Sequence, residues 1–239
     1  MNIALIVAGG SGQRMQSDQP KQYLDLGGMP ILCRTLGVFA AANLVDRIVL
    51  VVPEADRALC RDDLVPRVGF AGPVDIVSGG PTRQASVFNG LAAMDVNDDD
   101  LVVIHDAVRP FLEPAELKAS IQTAAETGAC ILALPAFDTV KKADSDHRIT
   151  ATIDRASIWL AQTPQVFRYG VIQAAHTLAR RNKVAGTDDA ALVEMAGYPV
   201  QILPGSRFNI KITTPEDLVL AQAILVRNRN PRPMDVVRV

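Results

Sequence analysis

Short, nearly continuous apolar runs recur along the chain at 3–8, 47–52, 74–77, 101–104 and 129–134. Runs of that length without polar alternation predict strands buried on both faces, as in a parallel sheet. Between them the period changes. In 31–42, residues Ile31, Leu32, Thr35, Leu36 and Phe39 share one helical face, and 83–94 and 114–127 read as helices in the same way. Alternating strand and helix predicts a doubly wound α/β sheet.

The rhythm breaks after Pro135. Two β-branched pieces, 139–142 and 149–153, flank the polar turn Ala143-Asp144-Ser145-Asp146-His147. They predict a β-hairpin that projects from the domain as an arm. Helices follow at 168–181 and 188–196, then a strand at 200–203. The last helix opens at Thr214-Pro215-Glu216-Asp217, with a capping hydroxyl, proline at the first helical position and two acids in the first turn. The stretch 227–239, with four arginines and two prolines, is expected to fray. One domain over 1–226, its arm at about 138–155, accounts for the pattern.

Composition narrows the function classes. With 24 basic and 26 acidic residues the formal charge is −2. No basic excess marks a nucleic-acid surface, so phosphate binding has to come from a local cluster of cations. No apolar run approaches the length of a membrane span, and the start of the chain lacks the basic segment of a secretory leader. The three cysteines, Cys33, Cys60 and Cys130, are far apart and odd in number. They are expected as buried free thiols in a reducing compartment, the cytoplasm.

Three segments carry candidate chemistry. The first, Ala8-Gly9-Gly10-Ser11-Gly12-Gln13-Arg14-Met15 with Pro20-Lys21-Gln22, follows the first strand. Glycines there let backbone N–H groups close on a phosphate, and Arg14 and Lys21 add full charges. The spacing is neither the dinucleotide-binding nor the Walker A pattern; a plain tight turn is the alternative. The second, His105-Asp106-Ala107-Val108-Arg109-Pro110, ends a strand, where open α/β sheets place ligands. Asp106 there suits a divalent cation or a turn cap, and Arg109 a substrate or a structural ion pair. His105 is expected as a hydrogen-bonded core residue. The third, Asn209-Ile210-Lys211-Ile212-Thr213, sets a lysine in a β-branched run, which needs a phosphate partner or an exposed edge strand.

In combination, G-G-S-G-x-R-M with P-K-Q-Y, then G-G-x-x-R-x-x-S-V (79–87), H-D-A-V-R-P, D-T-V-K, Asp154-Arg155, Q-T-P-Q (162–165), T-D-D-A (187–190) and N-I-K-I-T-x-P-E-D resemble the 2-C-methyl-D-erythritol 4-phosphate cytidylyltransferase family of non-mevalonate isoprenoid synthesis. The resemblance runs in order from 3 to about 225. It implies a nucleotide-diphosphosugar transferase-like (Rossmann-like) fold: a seven-stranded mixed, mostly parallel sheet with a hairpin arm that builds a homodimer. It also implies CTP and a polyol phosphate as substrates, and Mg²⁺ or another divalent cation.

Residue by residue, the resemblance puts Arg14 and Lys21 on the triphosphate, and Arg155 and Lys211 on the polyol phosphate. Asp106 falls on the metal and the ribose. Ala8, Gly9, Gly10, Gly12, Gly80 and Ser86 fall on CTP, the last two on its cytosine. Arg109, Thr139, Thr163 and Thr187 fall on the second substrate. Val7-Ala8-Gly9-Gly10 stands where many members have P-A-A-G, a form shared with ribitol 5-phosphate cytidylyltransferases. That family is the alternative; Thr139-Val140-Lys141 and Asp154-Arg155 resemble the methylerythritol branch. A non-catalytic nucleotide sensor on the same fold would be expected to have lost Arg14, Lys21, Asp106 and Lys211; all four are present.

Overall fold

A computed structural model describes residues 1–9 and 19–229. The strands are β1 (Asn2–Val7), β2 (Arg47–Val52), β3 (Val74–Ser78), β4 (Leu101–Asp106), β5 (Ala129–Pro135), β6 (Val140–Ala143), β7 (Ile149–Ile153), β8 (Trp159–Arg168) and β9 (Gln201–Pro204). The helices are α1 (Ile31–Ala42), α2 (Arg57–Leu59, continued by a wider turn over Cys60–Leu64), α3 (Arg83–Ala92), α4 (Pro114–Thr127), α5 (Tyr169–Asn182), α6 (Asp189–Met195) and α7 (Pro215–Arg229).

Seven strands form one sheet in the order β3-β2-β1-β4-β8-β5-β9. Only β8 runs antiparallel to its neighbours β4 and β5; the other pairs are parallel. The continuous apolar runs are explained by burial on two faces. In β1, Ala4 and Ile6 pack with α1 and α4, while Ile3, Leu5 and Val7 pack with α3, α5 and α6. A third cluster places Ile212, Ala221 and Ile224 on Leu26, Val108 and Phe111, which fastens α7 beside the carboxyl end of β4.

Local chemistry fixes the helix ends near that edge. Thr82 caps α3 by accepting the Ala85 N–H at 3.1 Å, and Asp188 caps α6 through the Ala191 N–H at 2.9 Å. At the start of α7 the Asp217 carboxylate takes the backbone N–H groups of Thr213 and Thr214. Helix α7 continues three residues into the stretch expected to fray. Arg227 lies 4.0 Å over the Phe208 ring, which ties that last turn down. Residues 230–239 lie outside the described residues.

The hairpin forms as expected, β6 on β7, in a two-stranded sheet of its own. Its turn is closed by Asp144, whose carboxylate accepts the Asp146 and Arg148 N–H groups. Strand β8 was not resolved by the apolar pattern, and the run around Lys211 is not a strand. It is an irregular link between β9 and α7.

Candidate active site

The carboxyl ends of β1 and β4 are adjacent, with Val7 in register with Asp106. A cavity of about 350 Å³ opens above them, lined among others by Ala8, Gly9, Lys21, Gly80, Ser86, Asp106 and Lys211. These seven come from five separate segments, so the fold assembles what the sequence scattered. Lys21 stands on a single 3-10 turn, Lys21–Tyr23. That turn is anchored from below: Gln22 is buried and donates to the Ala8 carbonyl at 2.8 Å, and Tyr23 donates to Asp56 at 2.8 Å. Arg14, Gly10 and Gly12 lie outside the described residues.

Asp106 is the last residue of β4, two residues beyond the strand end expected from the sequence. Its carboxylate receives Arg83 Nε on Oδ1 at 3.1 Å and Lys211 Nζ on Oδ2 at 2.8 Å, with Arg109 Nε at 3.8 Å. Burial alone would raise the Asp106 carboxyl. Arg83, Lys211 and Arg109 more than offset that and hold it well below the usual carboxylate range. Within the chain Lys211 is paired with Asp106, and it does not stand on the edge strand that was one reading of its sequence context. Burial would lower Arg83, but Asp189 and Asp106 keep it above its ordinary value. Arg109 falls below its own, by burial first.

A second hollow, of about 280 Å³, shares Arg83, Asp106 and Lys211 with the first and adds Arg109, Thr163 and Thr187. Thr163 accepts the Asp106 N–H at 3.1 Å and meets His105 Nδ1 at 3.1 Å. His105 is fully buried, pairs through Nε2 with the Arg109 carbonyl at 3.0 Å and meets Phe39 edge-on. It is a core residue, as expected, and burial pushes it down to about 4.

On the far wall, Ser86 accepts the Gly80 N–H at 3.0 Å and donates to the Thr82 carbonyl at 2.9 Å. Its hydroxyl therefore shapes the loop before α3. Gly80 is required by close approach: an added Cβ would sit 2.5 Å from Ala85 Cβ. Thr139 and Arg155 are exposed on the arm and line neither hollow within this chain. Arg155 donates to the Phe137 carbonyl at the arm's base.

Set against known proteins, the family model of 2-C-methyl-D-erythritol 4-phosphate cytidylyltransferase (IspD) matches residues 2–227. The chain belongs to that family. It is 50% identical over 223 residues to 2-C-methyl-D-erythritol 4-phosphate cytidylyltransferase of Geotalea uraniireducens, covering 93% of this chain and 95% of the relative. It is 51% identical over 225 residues to the protein of that name from Geobacter metallireducens, covering 93% and 97%. The crystal structure of 4-diphosphocytidyl-2C-methyl-D-erythritol synthase from Anaerococcus prevotii superposes with a TM-score of 0.83 at 34% identity, covering 95% of this chain and 96% of that one.

The chain is a cytidylyltransferase, and the methylerythritol reading is favoured over the ribitol alternative. The α/β fold with a mostly parallel sheet and a separate antiparallel hairpin is that of the family's structures. Sequence reasoning gave no role to Arg83, although it stood inside the 79–87 motif. It gave none to Asp189 or Gln165 either, though both lay in quoted motifs. No local pattern signals that a side chain in a helix's first turn spans two other elements.

Proposed function

We propose that this cytidylyltransferase joins CMP from CTP to 2-C-methyl-D-erythritol 4-phosphate, releasing pyrophosphate, in isoprenoid precursor synthesis. The observation that carries the reading is one buried carboxylate, Asp106, ringed by Arg83, Arg109 and Lys211 where two strand ends open into paired hollows. That arrangement suits two polyanions meeting. The nucleophile is a phosphate oxygen, anionic at neutral pH, so no protein base has to generate it. It attacks the α-phosphorus of CTP, and the bond to the pyrophosphate oxygen breaks. Catalysis then rests on positioning and on cations aimed at developing charge.

Lys21 and Arg14 take the triphosphate, and Ala8, Gly9, Gly10 and Gly12 supply backbone around it. Gly80, shaped by Ser86, meets the cytosine. Lys211, whose side chain is 38% exposed on the open side of Asp106, takes the polyol phosphate with Arg155. Arg109, Thr139, Thr163 and Thr187 line that substrate's pocket. Among the described residues no group of three or more His, Cys, Asp or Glu could hold a metal. A lone, firmly ionised Asp106 fits Mg²⁺, which takes most of its oxygens from phosphates and water. When bound, the ion supplies countercharge to phosphate oxygens.

The enzyme acts as a homodimer in the cytoplasm. Exposed Phe137, Ile149, Trp159 and Leu160, on and beside the arm, support the dimer. Three free, buried thiols support a reducing compartment. Among the described residues no helix is long and apolar enough to cross a membrane.

Pyrophosphate release measured with CTP and each polyol phosphate in turn tests the reading. Turnover with 2-C-methyl-D-erythritol 4-phosphate far above that with ribitol 5-phosphate is expected. Equal or faster turnover with ribitol 5-phosphate overturns the substrate assignment.

A further inference from the structure

We infer that Asp189 is a positioning residue for the transfer reaction, acting through Arg83 to fix the Asp106 carboxylate between the two hollows. The inference rests on the reading of Asp106 as a site residue.

Arg83 is the first residue of α3, and its guanidinium divides its donors. Nε goes to Asp106 Oδ1 at 3.1 Å and Nη1 to Asp189 Oδ2 at 2.7 Å. An arginine facing one carboxylate commonly grips both its oxygens with two parallel N–H groups. Here each carboxylate holds one edge of a rigid planar fork. The position of the Nε edge, and with it Asp106 Oδ1, is therefore set by wherever Asp189 holds the other.

Asp189 has little freedom to move. Its side chain is 1% exposed, and Oδ1 lies 3.0 Å from His176 Nε2. Its backbone N–H donates to Gln165 Oε1 at 3.1 Å, as does that of Ala190. His176 of α5 thus holds the carboxylate itself, while Gln165 of β8 holds the backbone at the start of α6. Among the described residues the Nδ1 of His176 is buried without a partner, so the ring's hydrogen bond runs through Nε2 to Asp189. Burial would raise the Asp189 carboxyl, but Arg83 and then His176 hold it below its ordinary value, so the anchor stays ionised.

Asp189 lines neither hollow, whereas Arg83 lines both. Without the second anchor, Arg83 can rotate to chelate Asp106 alone or swing towards a bound phosphate. Either movement displaces Asp106 relative to both substrates. A displacement of about 1 Å in a positioning group can cost on the order of 10²-fold in rate.

The test is a double-mutant cycle on the full-length enzyme, with kcat, the KM for CTP and thermal unfolding read for each variant. Asp189→Asn keeps an oxygen for Arg83 and loses the charge. It is expected to lower kcat roughly 10- to 100-fold, with the KM for CTP within about threefold. In an Arg83→Ala background the same change should cost less than about twofold, because residues acting through one another are not additive. Near-normal kcat in folded Asp189→Asn, or a full multiplicative loss in the double variant, overturns the inference. If Asp189→Asn does not fold, Arg83→Lys decides: a single ammonium spans only one carboxylate, and wild-type kcat there also overturns it. Asp106→Asn separates the two levels. Full activity in that variant sinks the site reading itself, whereas a slow Asp106→Asn beside a normal Asp189→Asn sinks only the role of Asp189.

Discussion

Two parts of this chain carry candidate site residues in opposite settings. Around Asp106, Arg83 and Arg109 are locked by carboxylates and a carbonyl drawn from β4, α6 and the loop before α7. On the arm, Arg155 and Thr139 are exposed, and their neighbours Phe137 and Ile149 are 51% and 65% exposed. The first region is preorganised by its own chain. The second is a two-stranded hairpin whose apolar residues stay exposed among the described residues even where Arg207 lies over the Phe137 ring, and such a hairpin is marginal alone in water. The difference teaches that the chain preorganises the Asp106 cluster by itself and leaves the arm's residues facing outwards; on the proposed reading a two-fold partner takes them up.

The largest expected effect lies in the preorganised half. Lys21→Ala should lower kcat by about 10²-fold or more, since a donor aimed at a transition state is worth about 2.7–4 kcal/mol. Thermal unfolding should stay near wild type. Normal turnover in a folded variant removes Lys21 from the mechanism.

Asp106→Asn comes next, and it should separate the two regions in kind. Loss of the buried anion leaves Arg83, Arg109 and Lys211 facing a neutral amide, a loss of about 3 kcal/mol in stability. The Mg²⁺ concentration for half-maximal rate should also rise, because a hard cation prefers the anion. Arg155→Ala, on the exposed arm, should leave stability unchanged. Equal denaturation midpoints for Asp106→Asn and wild type would erase the contrast.

The buried half should also carry an acid sensitivity. Burial lowers His105 to about 4 from an ordinary 6.5, so the unfolded chain takes the proton first. The stabilising contribution is complete above about 6.5 and is lost as pH falls through about 4, about 3 kcal/mol in all. Asp106 and Asp189, both held low, add their losses only below that window. Denaturant midpoints compared at pH 7 and near pH 4.5 check this; a flat profile contradicts it.

The smallest effect belongs to the arm surface. Ile149→Glu should weaken self-association by about 1–3 kcal/mol without altering secondary structure, through loss of one buried apolar side chain. Sedimentation against concentration reads it; an unchanged equilibrium takes Ile149 out of the interface.

The same contrast governs what could be read from the sequence. Strands β1, β2, β4 and β5 were legible because residues buried on both faces leave unbroken apolar runs. Strand β8 was not. Its interior positions Gln162, Thr163 and Gln165 are polar yet buried, because each is consumed by backbone or side-chain partners. The arm was legible from its β-branched halves and Asp-rich turn, which are local features. Asp106 and Lys211 were legible as residues, but their mutual pairing is a tertiary fact with no signature at either position. Arg83 and Asp189 were hidden for the same reason: each stands in the first turn of a helix, where an ion or a cap explains it locally.

The proposed division of the site between two chains is tested most directly by mixing the Lys21→Ala and Arg155→Ala variants, each expected to be impaired alone, under conditions that exchange subunits. If the arm completes the neighbour's site, a mixed dimer holds one site with both lesions and one with neither. The mixture should recover roughly a quarter of the wild-type rate, on random pairing in a two-fold dimer. No recovery, with exchange demonstrated by a labelled subunit, would put Arg155 in its own chain's site or outside any site.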